Sequence, residues 1–321
     1  MIEVEHLQKT YGDFNAIRDI TFRVEPGEIL GFLGPNGAGK TTTMRIVTGY
    51  LPATSGTARV GGFDVTEQSM AVRQRIGYLP ESPPLYSDMT VEAFLHFVAE
   101  LKRVSAGDRP KFVDRAIERC NLTEKRHDLI RKLSKGFKQR VGIAQALVHD
   151  PPAIVLDEPT VGLDPKQIID VRNLIKSLAG DHTIILSTHI LPEVSMTCDR
   201  VAIVNRGQVA ATGTPAELTA QLAGSQQVDM EVRGDRDGIC AAVRSMPDVE
   251  LQELKALPEE SGTSRWTVRV SKAGQSDAWI ADLAATLVRA EIDIYELQRS
   301  RASLEDIFLQ LTTEDATARA A

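Results

Sequence analysis

Eight consecutive residues, Gly34, Pro35, Asn36, Gly37, Ala38, Gly39, Lys40 and Thr41, satisfy the pattern G-x-x-x-x-G-K-[ST]. Glycines at that spacing let successive backbone N–H groups turn inward around the α- and β-phosphates of a nucleotide. A helix opening directly behind them adds the positive end of its dipole. In such a loop Lys40 reaches the β- and γ-phosphates, and the Thr41 hydroxyl is a ligand for Mg2+. The alternative, an ordinary glycine-rich turn, fits poorly with the apolar strand before it and the helical pattern after it. The loop from Gly34 to Thr42 is therefore expected to bind ATP with Mg2+.

A second group lies far along the chain. The apolar run Ala153-Ile154-Val155-Leu156 ends in Asp157-Glu158. A buried strand would carry Asp157 to the sheet edge, where its carboxylate can hold Mg2+ through water. Glu158 would then polarise the attacking water as a general base. An acidic pair at a strand end is common alone; beside a phosphate loop it reads as chemistry.

The elements that must position these groups follow from periodicity. Ile2–Leu7, Ala16–Val24, Glu28–Leu33, Ala153–Asp157 and Thr183–Ser187 are short apolar or alternating runs, expected as strands, with Thr41–Thr48 as a helix. Short apolar strands separated by helical patterns predict a largely parallel sheet buried on both faces. Between them, 88–149 is expected to be a helical subdomain with helices over Val91–Lys102, Pro110–Cys120 and Lys135–Val148. Phe94, Leu95, Phe97, Val98 and Leu101 would face its core.

The pattern changes near Gly224. Strand Gln226–Arg233, helix Arg236–Met246, strands Val249–Ala256 and Arg265–Val270, helix Asp277–Ala290 and strand Ile292–Arg299 give the order βαββαβ, a ferredoxin-like α+β domain. The polar stretch Pro258–Ser264 would be its hairpin loop, and Ser303–Leu311 a short helix. Domain limits of 1–220 and 225–312 follow, with 313–321 as a loose tail.

The chain has 321 residues with 44 acidic and 37 basic side chains, a formal charge of −7 that argues against a default polyanion binder and hence against nucleic acid. Cys120, Cys198 and Cys240 form no metal-ligand pair and cannot all be paired within the chain, which fits a reducing compartment. No run approaches the roughly 18 apolar residues needed to span a bilayer, and no secretory leader is expected.

On these motifs a family resemblance enters. Leu133-Ser134-Lys135-Gly136-Phe137-Lys138-Gln139-Arg140 resembles the signature sequence of ATP-binding-cassette (ABC) proteins, with Ser134 lying 23 residues before Asp157. The resemblance covers about 1–220. It implies an α/β P-loop cassette with an antiparallel β part and helical subdomain, in which two copies pair head to tail. Ser134 and Gly136 of one would then complete the ATP site of the other. A helix start there agrees, because free N–H groups favour an anion. Tyr11 resembles the aromatic that stacks on adenine, although it could instead simply pack at a strand end. Val161-Gly162-Leu163-Asp164 resembles the loop through which paired cassettes communicate. His189, 32 residues beyond Asp157, resembles the switch histidine at the γ-phosphate.

Two departures stand out. Glu81, in Gly77-Tyr78-Leu79-Pro80-Glu81, replaces the usual Gln; its carboxylate is still an oxygen ligand for Mg2+, but it adds charge near the γ-phosphate. Lys135 stands where Gly is usual. Both resemble cassettes paired with ABC-2 type permeases, including the gliding-motility-associated and nitrous-oxide-reductase-maturation ATPase subunits. The stretch Ser303–Phe308 resembles C-terminal domains of that group. A basic cluster, Lys125, Arg126, Arg131, Lys132, Lys135, Lys138 and Arg140, has only Asp128 opposing it in sequence; it reads as a solvated helical face, or else as a surface for lipid headgroups or nucleic acid.

The function expected is an ATPase driving a transporter: a homodimer on the cytoplasmic face of the membrane, bound to a multi-span permease in a separate chain. Ser82–Met89 would be the permease contact. The alternative is a soluble ABC ATPase acting on a ribosome or nucleic-acid complex. The C-terminal domain shows no catalytic constellation, and a role in dimer contact or regulation is expected for it.

Overall fold

The computed structural model describes residues 2–222, 225–257, 265–273 and 278–300, together with 304, 305, 308 and 311. The expected hairpin loop Pro258–Ser264, the tail 313–321 and most of the helix Ser303–Leu311 lie outside the described residues. By contacts the chain divides into two compact units, Met1–Pro215 with Leu311–Ala321, and Ala216–Gln310.

The first unit opens with a hairpin, β1 (Ile2–Tyr11) and β2 (Phe14–Val24), followed by the wholly buried β3 (Ile29–Leu33) and helix α1 (Lys40–Val47). Then come β4 (Ser55–Val60), β5 (Phe63–Asp64), α2 (Ser69–Arg75) and β6 (Ile76–Leu79). The helical block holds α3 (Val91–Leu101), α4 (Arg109–Arg119) and α5 (Lys135–Leu147). The chain returns to the sheet as β7 (Ala153–Asp157), α6 (Pro165–Leu178), β8 (Thr183–Thr188), α7 (Leu191–Thr197), β9 (Arg200–Asn205) and β10 (Gln208–Gly213), after which α8 (Pro215–Leu222) starts at the boundary and continues in the second unit.

Ten strands form one sheet in the order β5-β4-β1-β2-β10-β9-β3-β8-β7-β6. Its β5-β4-β1-β2 end is antiparallel, whereas β9, β3, β8, β7 and β6 run parallel. The parallel strands are apolar along their length because helices cover both faces. Phe32, Met44, Ile46, Val155, Ile185 and Val204 are among the buried residues of one side of this core.

Register decides where the chemistry sits. Leu33 lies beside Thr188, Asp157 beside Ser187, and Leu79 beside Leu156. The residues that follow β3, β8, β7 and β6 therefore emerge together at the carboxyl ends of the sheet, the usual place for a ligand in an open α/β fold.

In the helical block, the Thr90 hydroxyl caps α3 by accepting from the Ala93 N–H at 3.2 Å. Phe94, Leu95 and Val98 are buried as the spacing predicts, but Leu101 is 64% exposed, so the apolar stripe ends a turn early. The basic cluster has acidic partners beyond Asp128. Arg126 contacts Glu92 at 2.6 Å and Asp114 at 2.8 Å, Arg131 contacts Asp88 at 2.8 Å, and Arg140 contacts Asp170 at 2.9 Å. Acids distant in sequence neutralise much of a charge that one-dimensional reading leaves open.

Gly77 lets α5 approach β6. A Cβ at Gly77 would collide with the Ala146 carbonyl on α5. Gly77→Ala is expected to destabilise the protein by about 1–3 kcal/mol through overpacking, read as a lower urea midpoint with an unchanged m-value.

The second unit contains β11 (Ser225–Arg233), α9 (Arg236–Arg244), β12 (Val249–Ala256), β13 (Arg265–Ala273), α10 (Ala278–Arg289) and β14 (Asp293–Ser300). The sheet order is β12-β13-β11-β14, antiparallel throughout, which is the ferredoxin-like arrangement. Val228, Met230 and Val232 alternate into a core with Ile239, Val243, Leu283 and Leu287. Between them Asp229 and Glu231 point the other way and pair with Arg269 and Arg265 on β13.

Candidate functional site

The turn between β3 and α1 is built by glycines that no other residue replaces. Gly37 and Gly39 have φ of +84° and +103°. A Cβ at Gly39 would also stand 2.7 Å from the Ala16 carbonyl, and one at Gly34 would collide with the Val204 carbonyl. Pro35 and Ala38 serve the turn itself, with the Ala38 N–H donating to the Pro35 carbonyl at 3.2 Å. The loop is thus clamped between β2 and β9.

Lys40 begins α1 and is 6% exposed. Its Nζ donates to the Gly34 carbonyl at 2.7 Å and the Pro35 carbonyl at 3.3 Å, and lies 3.5 Å from Glu158 Oε1. Glu158 follows β7 with φ of +52°, a conformation uncommon for a residue with a side chain. Strand-end hydrogen bonds hold it there, since its N–H donates to the Ser187 carbonyl at 2.8 Å. Strain of this kind concentrates at functional sites. His189 Nδ1 lies 2.9 and 3.0 Å from the two Glu158 carboxylate oxygens. Three sequence-predicted residues on three elements are therefore in direct contact.

Asp157 is fully buried, and its Oδ1 accepts from the Ser187 hydroxyl at 2.8 Å. Its Oδ2 is buried without a hydrogen-bond partner. Burial pushes its carboxyl above the usual carboxylate range, the hydroxyls of Ser187 and Thr41 pull it down, and the charges of Glu158 and Glu81 add to the rise. A buried carboxylate oxygen left unpaired beside a hydroxyl is what a divalent cation would satisfy.

Lys40, Glu158 and His189 line a cavity of about 510 Å³. Asn36, Gly37, Gly39, Lys40, Thr41 and Thr42 line one side, and Glu81, Glu158, Val161 and His189 the other. Glu81 is exposed and reaches the cavity from the end of β6. Phe14 and Ala16 from β2 complete the lining.

Of the expected site residues, Gly34, Pro35, Ala38, Asp157, Tyr11, Ser134 and Gly136 are not among that lining. Tyr11 is 47% exposed, with Lys9 Nζ 5.2 Å from its ring centroid. Phe14, its register partner across the β1–β2 turn, lines the cavity instead and is 64% exposed. Ser134 and Gly136 also stand outside the lining. Ser134 caps α5, accepting from the Phe137 N–H at 3.4 Å, and Gly136 is buried where a Cβ would meet the Gln167 side chain at 2.6 Å. Asp164 caps α6 by accepting from the Gln167 N–H at 2.9 Å.

Sequence reading missed Phe14, Ser187 and a buried trio, Thr160, Thr188 and Glu193. The turn residues Gly12-Asp13 between two strands could have singled out Phe14 as the residue facing Tyr11 across a hairpin. The others are polar positions that carry no local sequence signal, and only three-dimensional contact brings them together.

A glycine-rich phosphate-type loop and a buried acid pair at the carboxyl ends of a parallel sheet define a nucleotide-binding α/β cassette. A family model described as ABC transporter matches residues 17–161. The linearmycin resistance ATP-binding protein LnrL of Bacillus subtilis (strain 168) is 32% identical over 316 residues, 97% of this chain and 98% of that protein. The Nod factor export ATP-binding protein I of Paraburkholderia xenovorans (strain LB400) is 32% identical over 312 residues, 97% and 96% of the two chains. The dimeric structure of MJ0796, a bacterial ABC transporter cassette, superposes with a TM-score of 0.61 at 25% identity, covering 67% of this chain and 98% of that one. The chain belongs to the family of ABC transporter ATP-binding proteins and is an ATPase. Among the described residues, no helix is long and apolar enough to cross a membrane.

Proposed function

We propose that this chain powers an ABC-2 type exporter as one of two paired cassettes attached to a separate multi-span permease at the cytoplasmic face of the membrane. The observation that carries the reading is the contact of Lys40, Glu158 and His189 at the mouth of the glycine loop. The words export and resistance in the names of its relatives support outward transport. GYLPE and LSKGF, shared in kind with the gliding-motility-associated and nitrous-oxide-reductase-maturation subunits, support the ABC-2 type.

In this reading ATP lies along the loop from Gly34 to Thr42. Lys40 exchanges its contacts with the Gly34 and Pro35 carbonyls for the β- and γ-phosphates, a charge-assisted replacement. Glu158 accepts the proton of the attacking water, and His189 positions the γ-phosphate. Thr41 and Asp157, with Glu81, would hold Mg2+, which neutralises charge on the phosphates; the unpartnered Asp157 Oδ2 supports that fit. Tyr11 stacks on adenine, and Phe14 adds a second aromatic face. Ser134 and Gly136, set apart from this chain's own cavity, serve the cavity of a second copy. ATP closes the pair and hydrolysis reopens it.

Purification of the tagged chain from membranes in mild detergent tests the assignment. A multi-span membrane protein is expected to co-purify in stoichiometric amount. Recovery with ribosomes and without such a protein would contradict it.

A further inference from the structure

We infer that Glu193 is a positioning residue for ATP hydrolysis, tying the turn that starts at Thr160 to the strand end that carries His189. Its carboxylate is 5% exposed and spans two loops. The Thr160 hydroxyl donates to Oε1, and the Thr188 hydroxyl donates to Oε2 at 3.0 Å. Thr160 and Thr188 are themselves buried. Thr188 also accepts from the Ile190 N–H at 3.1 Å, so its hydroxyl holds the chain on both sides of His189. Thr160 begins the turn that carries Val161, which lines the cavity, and the Val161 N–H donates back to the Glu158 carbonyl at 3.3 Å.

The helix that presents Glu193 is itself fixed. Gly31 on β3 lets α7 pack directly on the sheet, since a Cβ there would stand 2.6 Å from Val194 and 2.9 Å from Cys198. Glu193 therefore projects from a packed helix to two loops that also meet through the Asp157–Ser187 and His189–Glu158 contacts. A buried carboxylate with both oxygens bonded to hydroxyls is costly to place and costly to break. Its effect is to keep His189, Glu158 and the Thr160 turn in one relation, and misplacement of such groups lowers the rate of chemistry more than binding.

The inference rests on the reading that Glu158 and His189 carry the chemistry, and the experiment separates the two. For Glu193→Ala, kcat for ATP is expected to fall roughly 10- to 100-fold with ATP affinity near that of the parent, because the loop from Gly34 to Thr42 is untouched. Glu193→Gln should recover most of the turnover, since its carbonyl accepts one hydroxyl and its amide donates to the other after rotation. Thr160→Val and Thr188→Val each remove one arm at nearly constant volume. The double variant is expected to lose no more than the worse single, because the link is broken once. Multiplying losses, equal falls in kcat and ATP affinity, or parental turnover in Glu193→Ala would overturn the inference. Normal turnover in Glu158→Gln would instead remove the reading beneath it.

Discussion

In Glu158→Gln, ATP hydrolysis is expected to fall by about 10²- to 10⁴-fold, the range a general base contributes, while ATP binding persists. The amide keeps the shape of the side chain and can still meet His189 Nδ1, which lies 2.9 Å from the native carboxylate. It cannot take a proton from water. The residue's positive φ and its N–H bond to the Ser187 carbonyl belong to the backbone, so the substitution leaves the local path of the chain unchanged. Lys40 loses an ion partner at 3.5 Å, but the phosphates offer it a better one. Phosphate release read beside nucleotide binding checks the split. Normal turnover would remove Glu158 from its role.

Replacement of Lys40 acts on binding instead. Lys40→Ala is expected to weaken ATP affinity by about 10²-fold or more, since charge-assisted hydrogen bonds to phosphate contribute about 1.5–3 kcal/mol each and two are lost. In the proposed site the native Lys40 would give up its contacts to the Gly34 and Pro35 carbonyls for the phosphates, which places the effect toward the lower end. The alanine variant also leaves the buried Glu158 with fewer partners, so it should unfold at lower temperature. Lys40→Met keeps the volume of the stem and separates the two effects. Both variants should bind ATP weakly by calorimetry. Parental affinity in the methionine variant would contradict the role of Lys40.

The parts of the fold legible in the sequence were those with strong local patterns. Ala153–Asp157 and Val249–Ala256 have the bounds that their apolar or alternating runs predict, and α3 and α5 end within a residue of expectation. The glycine loop was legible because its chemistry is contiguous. What the sequence withheld was contact between distant segments. Helix α6 went unread although Asp164-Pro165 is a helix start, because the loop that resembles a communication element also serves as its cap. The cluster around Arg126 and Arg140 reads as open charge until Glu92, Asp114 and Asp170 are brought beside it. Phe14 beside Tyr11, and Glu193 between Thr160 and Thr188, are likewise products of register and packing.

Ser134 and Gly136 lie outside the lining of their own chain's cavity, and the central claim is that they complete the cavity of another copy. The mass of Glu158→Gln in solution tests this most directly, because slow hydrolysis holds the ATP-bound state. By sedimentation, the variant is expected to run as a species of twice 35.1 kDa with ATP and Mg2+, and as the 35.1 kDa chain without nucleotide. A single 35.1 kDa species that has bound ATP in full would contradict the paired site.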